Sequence, residues 1–174
     1  QGCVSPHAIY VEDAATDPRD FARMIADELA ALQQALPRAD LTSDEAAAIQ
    51  AARARAEFGG FAGRATELVS PPDAPFTVVF HGSPDFEASC LLRTVHVHRV
   101  ASVDDALHAL QPHRPLLQSA ALAGGNASLH RRIAHAGFTR IASFADMAWP
   151  DFAGYHDGRG PLRELLRMVS VEQG

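Results

Sequence analysis

Lysine is missing from this chain: all 15 basic residues are arginine. That excludes Schiff-base catalysis and a phosphate-loop lysine. Cysteine is scarce, with only Cys3 and Cys90. Two are too few for a disulfide framework, and they predict a reducing, cytoplasmic compartment. No apolar run approaches the roughly 20 residues needed to cross a bilayer, so no membrane span is expected. Positive charge is in deficit, with a net charge of −6, and only Arg131 and Arg132 are adjacent arginines. This balance argues against a nucleic-acid partner.

What is present is a globular composition. The chain has 174 residues, 47% hydrophobic and 21% charged, enough to bury one core without covalent staples. It opens on Gln1, and strand-like sequence begins within a few positions. That abrupt start predicts a piece of a longer chain or a processed one, with residues 1–174 forming a single domain.

The pattern of elements points to an α/β fold. Residues 7–11 read as a strand. Asp17-Pro18 supplies an N-cap and a proline at the first helical position of a helix to about Leu36, and Pro37 stops it. Thr42-Ser43-Asp44-Glu45 is a capping-box pattern. It opens an Ala-rich helix over residues 44–56, with Gly59, Gly60 and Gly63 expected to end it. Residues 70–75 hold three prolines and read as a loop. Strands are expected at 76–80, 94–100, 116–122 (buried) and 140–144. Helices are expected at 102–110 and 127–136, the latter closed by Gly137. Strands alternating with short helices from Thr94 onward predict a mostly parallel sheet flanked by helices. Residues 149–160 read as an ordered loop, 161–167 as a short helix and 169–172 as a terminal strand.

Several residues are candidates for chemistry. Cys3 follows Gly2 just before a strand, where the backbone can approach a substrate closely and an amide can donate to an oxyanion. A nucleophilic role needs a thiolate, so the site must lower the ordinary thiol value of about 8.5. The competing reading of Cys3 is a small buried hydrophobe. Cys90 has an apolar flank and reads as packing. His96 and His98, two apart on a strand, share one face. They lack a third ligand at a recognisable spacing, so an edge or exposed face is expected and no metal site. His156-Asp157-Gly158-Arg159 is the densest polar cluster. It reads equally as a solvated turn or as a group that relays a proton and orients an anion. Gly124-Gly125-Asn126 lacks the dinucleotide-binding spacing and reads as a plain strand-to-helix turn.

The segment Gln1-Gly2-Cys3-Val4-Ser5-Pro6-His7-Ala8-Ile9-Tyr10-Val11-Glu12 resembles the active-site segment of the bacterial long-chain acyl-CoA reductases. These are the fatty-acid reductases of bioluminescence and their relatives, within the aldehyde dehydrogenase superfamily. Arg93-Thr94-Val95, the stretch from Ser102 to Leu107, and Ala136 to Ile141 are similar to the family's later strand and helix segments. Tyr155-His156-Asp157-Gly158-Arg159 is similar to its closing signature.

The resemblance implies an aldehyde-dehydrogenase-like catalytic domain, with an upstream domain binding NADPH. Cys3 would attack an acyl-CoA or acyl-carrier thioester, and reduction of the acyl-enzyme would give a fatty aldehyde. His156, Asp157 and Arg159 would support the site, and the C-terminal segment would pair copies into a homo-oligomer. Without its cofactor domain the fragment is expected to be inactive. Where ordinary aldehyde dehydrogenases carry Glu-x-Phe-Gly-Pro, contacting the nicotinamide ribose, this chain has Ser89-Cys90-Leu91-Leu92-Arg93. No cofactor-binding residue is therefore assigned, and no general base either, since the resemblance places the superfamily's catalytic glutamate upstream of the cysteine. Two other readings stay open. One is a cysteine-dependent acyltransferase or thioesterase using His7 or His156 as base. The other is a non-catalytic α/β interaction module.

Overall fold

A computed structural model of the chain describes residues 5–14, 16–151, 154–155, 157–160, 165, 167 and 169–172. They fall into two compact units, residues 1–110 and 111–174. Among the described residues no helix is long and apolar enough to cross a membrane.

The first unit is built on a four-stranded sheet. In chain order its elements are β1 (Ala8–Glu12), α1 (Pro18–Ala35), α2 (Ser43–Phe61), β2 (Thr66–Leu68), β3 (Thr77–His81), β4 (Thr94–Val100) and α3 (Val103–Leu110). The strand order is β1-β4-β3-β2. β4 runs parallel to both β1 and β3, and β2 closes the edge antiparallel to β3. This is the mostly parallel, helix-flanked sheet that the alternation of elements predicts.

Successive side chains alternate between the two faces of a sheet. One face of this sheet is apolar. Val78 and Phe80 from β3 and Val97 from β4 are buried with Ala22 and Ala26 of α1, and Ile9, Val11 and Val95 pack beside them. Asp17 caps α1, accepting from the amides of Arg19 and Asp20. The other face carries Thr77 and His81 from β3 and His96 and His98 from β4, all buried. α2 lies on this side, since Arg53 Nε donates to Thr77 Oγ1 at 3.0 Å.

The capping box forms: Glu45 N donates to Thr42 Oγ1, and Thr42 N donates to the Glu45 carboxylate. α2 then runs to Phe61, five residues beyond the expected end, straight through Gly59 and Gly60. Those glycines do not break the helix because they let it touch β2. A Cβ on Gly60 would stand 3.0 Å from the Thr66 carbonyl.

The second unit is a β-α-β turn of the chain. A 3-10 segment, Gln111–Leu116, precedes β5 (Ser119–Leu122), α4 (Ala127–Ala136) and β6 (Arg140–Ser143). β5 and β6 pair in parallel in a separate two-stranded sheet. The expected buried strand over 116–122 is therefore shorter and only half-buried. A two-stranded sheet has no central strand to bury, and Leu116 is 78% exposed. Gly137 ends α4 with φ +118°, as its position after the last helical turn predicts. Residues 169–172 hold no regular structure, with Val169 and Val171 both exposed. Their alternation is too short to define a strand without a partner edge. The helix expected over 161–167 falls mostly on residues outside those described.

Candidate functional site

The residues expected to do chemistry are only partly within the described structure. Cys3 and His156 lie outside the described residues. His7 is exposed in the bend that enters β1. Asp157 and Arg159 are exposed in the second unit. Asp157 has φ +50° and Gly158 φ +75°, a tight turn, and Gln118 Nε2 donates to Asp157 Oδ1 at 2.9 Å. The aspartate thus ties the turn to the residue just ahead of β5.

Cys90 behaves as a local packing residue. It is half-buried, and its thiol lies 3.2 Å from Thr94 Oγ1. The stretch around it is strained, however. Leu91, Leu92 and Arg93 all have positive φ, at 64°, 51° and 61°. Left-handed backbone costs a non-glycine residue roughly 1–3 kcal/mol. Ser89 holds the turn together: its hydroxyl donates to Thr94 O and accepts from Leu91 N. Arg93 braces it from outside, donating to Gln33 Oε1 and Leu36 O. Residues 89–93 contain no acidic side chain.

The densest chemistry among the described residues was not anticipated. β4 is an interior strand between β1 and β3, so His96 and His98 are 1% and 0% exposed. That corrects the expectation of an edge or exposed face. Alternation shows that two residues share a face, but the face's surroundings depend on which strands pair with it.

Register then assembles an imidazole cluster. Tyr10, His98 and His81 sit opposite one another across β1, β4 and β3. The His81 and His98 rings stack at 4.4 Å and 8°, and Tyr10 stacks on His98 at 5.1 Å. His96 Nδ1 and His81 Nε2 share a hydrogen bond at 2.9 Å. His98 Nδ1 faces the Ser83 carbonyl at 3.3 Å. A carbonyl only accepts, so His98 carries its proton on Nδ1 and a lone pair on Nε2. Glu87, bound to Arg55 of α2 at 3.1 Å, closes the cluster at its half-exposed edge.

Burial dominates the electrostatics. Desolvation pushes all three imidazoles down from their ordinary value to about 4. A neighbouring imidazole adds to the fall in each case, against the carboxylate of Glu87, which pulls the other way. Tyr10 is pushed up to about 12, first by burial and then by Asp85. The rings are therefore neutral at pH 7. Tyr10 Oη, His96 Nε2 and His98 Nε2 are buried without a hydrogen-bond partner among the described residues. His81 and Glu87 escape a sequence reading because each looks ordinary in its own stretch. The only signal is a histidine closing an apolar strand whose register neighbours also carry histidines.

One family model, described as acyl-CoA reductase (LuxC), matches residues 1–168. No curated protein matches the chain.

Proposed function

Because this chain belongs to the acyl-CoA reductase (LuxC) family, we propose that it carries the thioester chemistry of a long-chain acyl-CoA reductase. The Cys3 thiolate adds to the acyl carbonyl. The bond from that carbon to the carrier sulfur breaks, and the carrier thiol leaves with a proton. The acyl group is then held as a thioester on Cys3, which divides one difficult step into two easier ones. Hydride addition to the acyl carbon would then break its bond to the Cys3 sulfur, release the aldehyde and restore the thiolate, a hydride of the kind NADPH would supply.

The match over residues 1–168 is the observation that carries this reading, because it spans both Cys3 and the stretch from His156 to Arg159. Asp157 and Arg159 support the site in this proposal rather than attack the substrate. Two turns among the described residues do not fit NADPH. The glycine-rich turn before α4 is occupied by its own cap, since Asn126 Oδ1 accepts from Ser128 N and Leu129 N, both at 3.0 Å. The strained turn over 91–93 offers no acidic group to a ribose. We therefore place the dinucleotide on residues other than these.

The test is acyl transfer in the complete protein. Wild type incubated with a labelled long-chain acyl-CoA, without reductant, acquires label that hydroxylamine removes. Cys3→Ala acquires none and loses aldehyde formation by roughly a thousandfold or more. Cys90→Ala keeps its label. Label persisting on Cys3→Ala overturns the assignment.

A further inference from the structure

The polar face of the first unit's sheet holds donors that thioester chemistry does not use. His81 and His96 present facing nitrogens 2.9 Å apart. One donor atom from each of His81, Glu87 and His96 lies within 4.8 Å of the other two. We propose that His81, His96 and Glu87 form a binding site for a divalent first-row transition ion of the Zn2+ type, a site that does not rest on the thioester reading.

The donor set suits the ion. Two imidazoles and a carboxylate are a combination zinc accepts, with further positions left for water. Zinc–nitrogen bonds of about 2.0–2.1 Å place two tetrahedral nitrogen ligands roughly 3.3 Å apart. The facing nitrogens of His81 and His96 need separate only slightly to reach that spacing. Their rings are held from behind. His98 stacks parallel to His81 and is itself fixed by the Ser83 carbonyl, so it acts as a wall rather than a ligand.

Glu87 marks the way in. Its side chain is 35% exposed, whereas both histidines are buried. Arg55 takes Oε1 of that carboxylate, which leaves the other oxygen to face the ion. Metal-bound groups are commonly oriented by an outer partner of this kind.

The complete protein, stripped with a chelator and dialysed, is titrated with Zn2+ alone by calorimetry. It is titrated separately with Co2+, whose visible absorption intensifies on four-coordination. One equivalent of either ion binds the wild type. His81→Gln, His96→Gln and Glu87→Gln each weaken Zn2+ binding at least about tenfold, as losing a direct ligand exceeds the effect of losing an outer partner. His130→Gln, exposed on α4, binds as wild type. Circular dichroism checks that each variant is folded. Should a buried histidine variant fail to fold, Glu87→Gln decides, since its side chain sits at the edge. Absence of stoichiometric binding, or equal affinity in wild type and Glu87→Gln, overturns the site. Ion binding is read directly, so failure here is separate from failure of acyl transfer to Cys3.

Discussion

The two faces of the four-stranded sheet are both buried, but one is apolar throughout and the other mixes apolar side chains with a polar cluster. Facing α1, β3 and β4 contribute Val78, Phe80 and Val97, and the helix answers with Ala22 and Ala26. Facing α2, the same strands contribute Thr77, His81, His96 and His98 around Val79, and the helix buries Arg53 along with Ile49, Ala52 and Ala56. On the first face any close-packed apolar set of the right volume holds the sheet and helix together. On the second face each polar atom needs a named partner, because an unsatisfied buried group costs about 1–3 kcal/mol. The first face is thus a matter of shape, and the second a matter of hydrogen bonding that is only partly met, since Tyr10 Oη, His96 Nε2 and His98 Nε2 lack partners among the described residues. One sheet thus buries a polar cluster on one face and an ordinary apolar core on the other.

The largest expected effect tests whether the polar face is as costly to break as the apolar one. Arg53 is 4% exposed and donates to Thr77 Oγ1 and to the carbonyls of Pro71, Pro72, Ala74 and Phe76. It is the clamp that holds the proline-rich loop ahead of β3. Arg53→Met removes these donors and leaves several carbonyls short of partners, so a loss of about 3–5 kcal/mol is expected. Phe80→Ala on the other face opens a cavity and removes the ring beneath the Arg19 guanidinium, 5.2 Å away. It too is expected to cost about 3–5 kcal/mol. Urea unfolding of both variants gives the comparison directly. If Arg53→Met cost less than about 1 kcal/mol, the polar face would not be held by its hydrogen bonds.

A middling effect separates the faces by chemistry. In chelator-treated protein the folded imidazoles titrate near 4, against about 6.5 in the unfolded chain. Between those values the unfolded chain binds more protons, so falling pH favours it. The stability these rings contribute is fully present above pH 6.5 and is lost as pH drops towards 4. The total loss is on the order of several kcal/mol, shared among coupled groups. Unfolding free energies measured from pH 7.5 to 4.5 should show this slope. Phe80→Ala should shift the curve downward and leave its slope alone, whereas His98→Gln should flatten it. A slope that survives loss of His98 unchanged would mean that acidic groups elsewhere set the pH response.

How far each face was legible follows from the same contrast. α1 was readable because its signals are local: Asp17 and Pro18 at the start, apolar residues at helical spacing, Pro37 just past the end. β4 was readable to the residue, from Thr94 to Val100. What local pattern cannot carry is register. His96 and His98 plainly share a face, but only the pairing of β4 with both β1 and β3 buries that face and sets His81 beside it. α2 was underestimated because glycine usually ends helices, whereas Gly59 and Gly60 are needed for contact with Thr66. β2 is three residues long and gave no periodicity to read. Cys3 was reached through resemblance to a family, and the family match over residues 1–168 bears out that resemblance. Its role as nucleophile awaits the acyl-transfer experiment.

The smallest expected effect guards the comparison against a simpler explanation, that the helices rather than the faces differ. α1 and α2 have similar lengths, and each begins on a side-chain cap, Asp17 for one and Thr42 for the other. Each cap satisfies amides that the helix's first turn would otherwise leave open. Asp17→Ala and Thr42→Ala should therefore each cost about 1 kcal/mol in urea unfolding, whichever face the helix covers. Asp17 also meets Arg99 at 3.1 Å, but that pair is exposed and adds little. Near-equal losses would leave the layer beneath each helix as the source of the difference. If Thr42→Ala cost as much as Arg53→Met, α2 would depend on its first turn more than on the polar layer beneath it. The imidazole face would then be a consequence of helix docking rather than a structural layer in its own right.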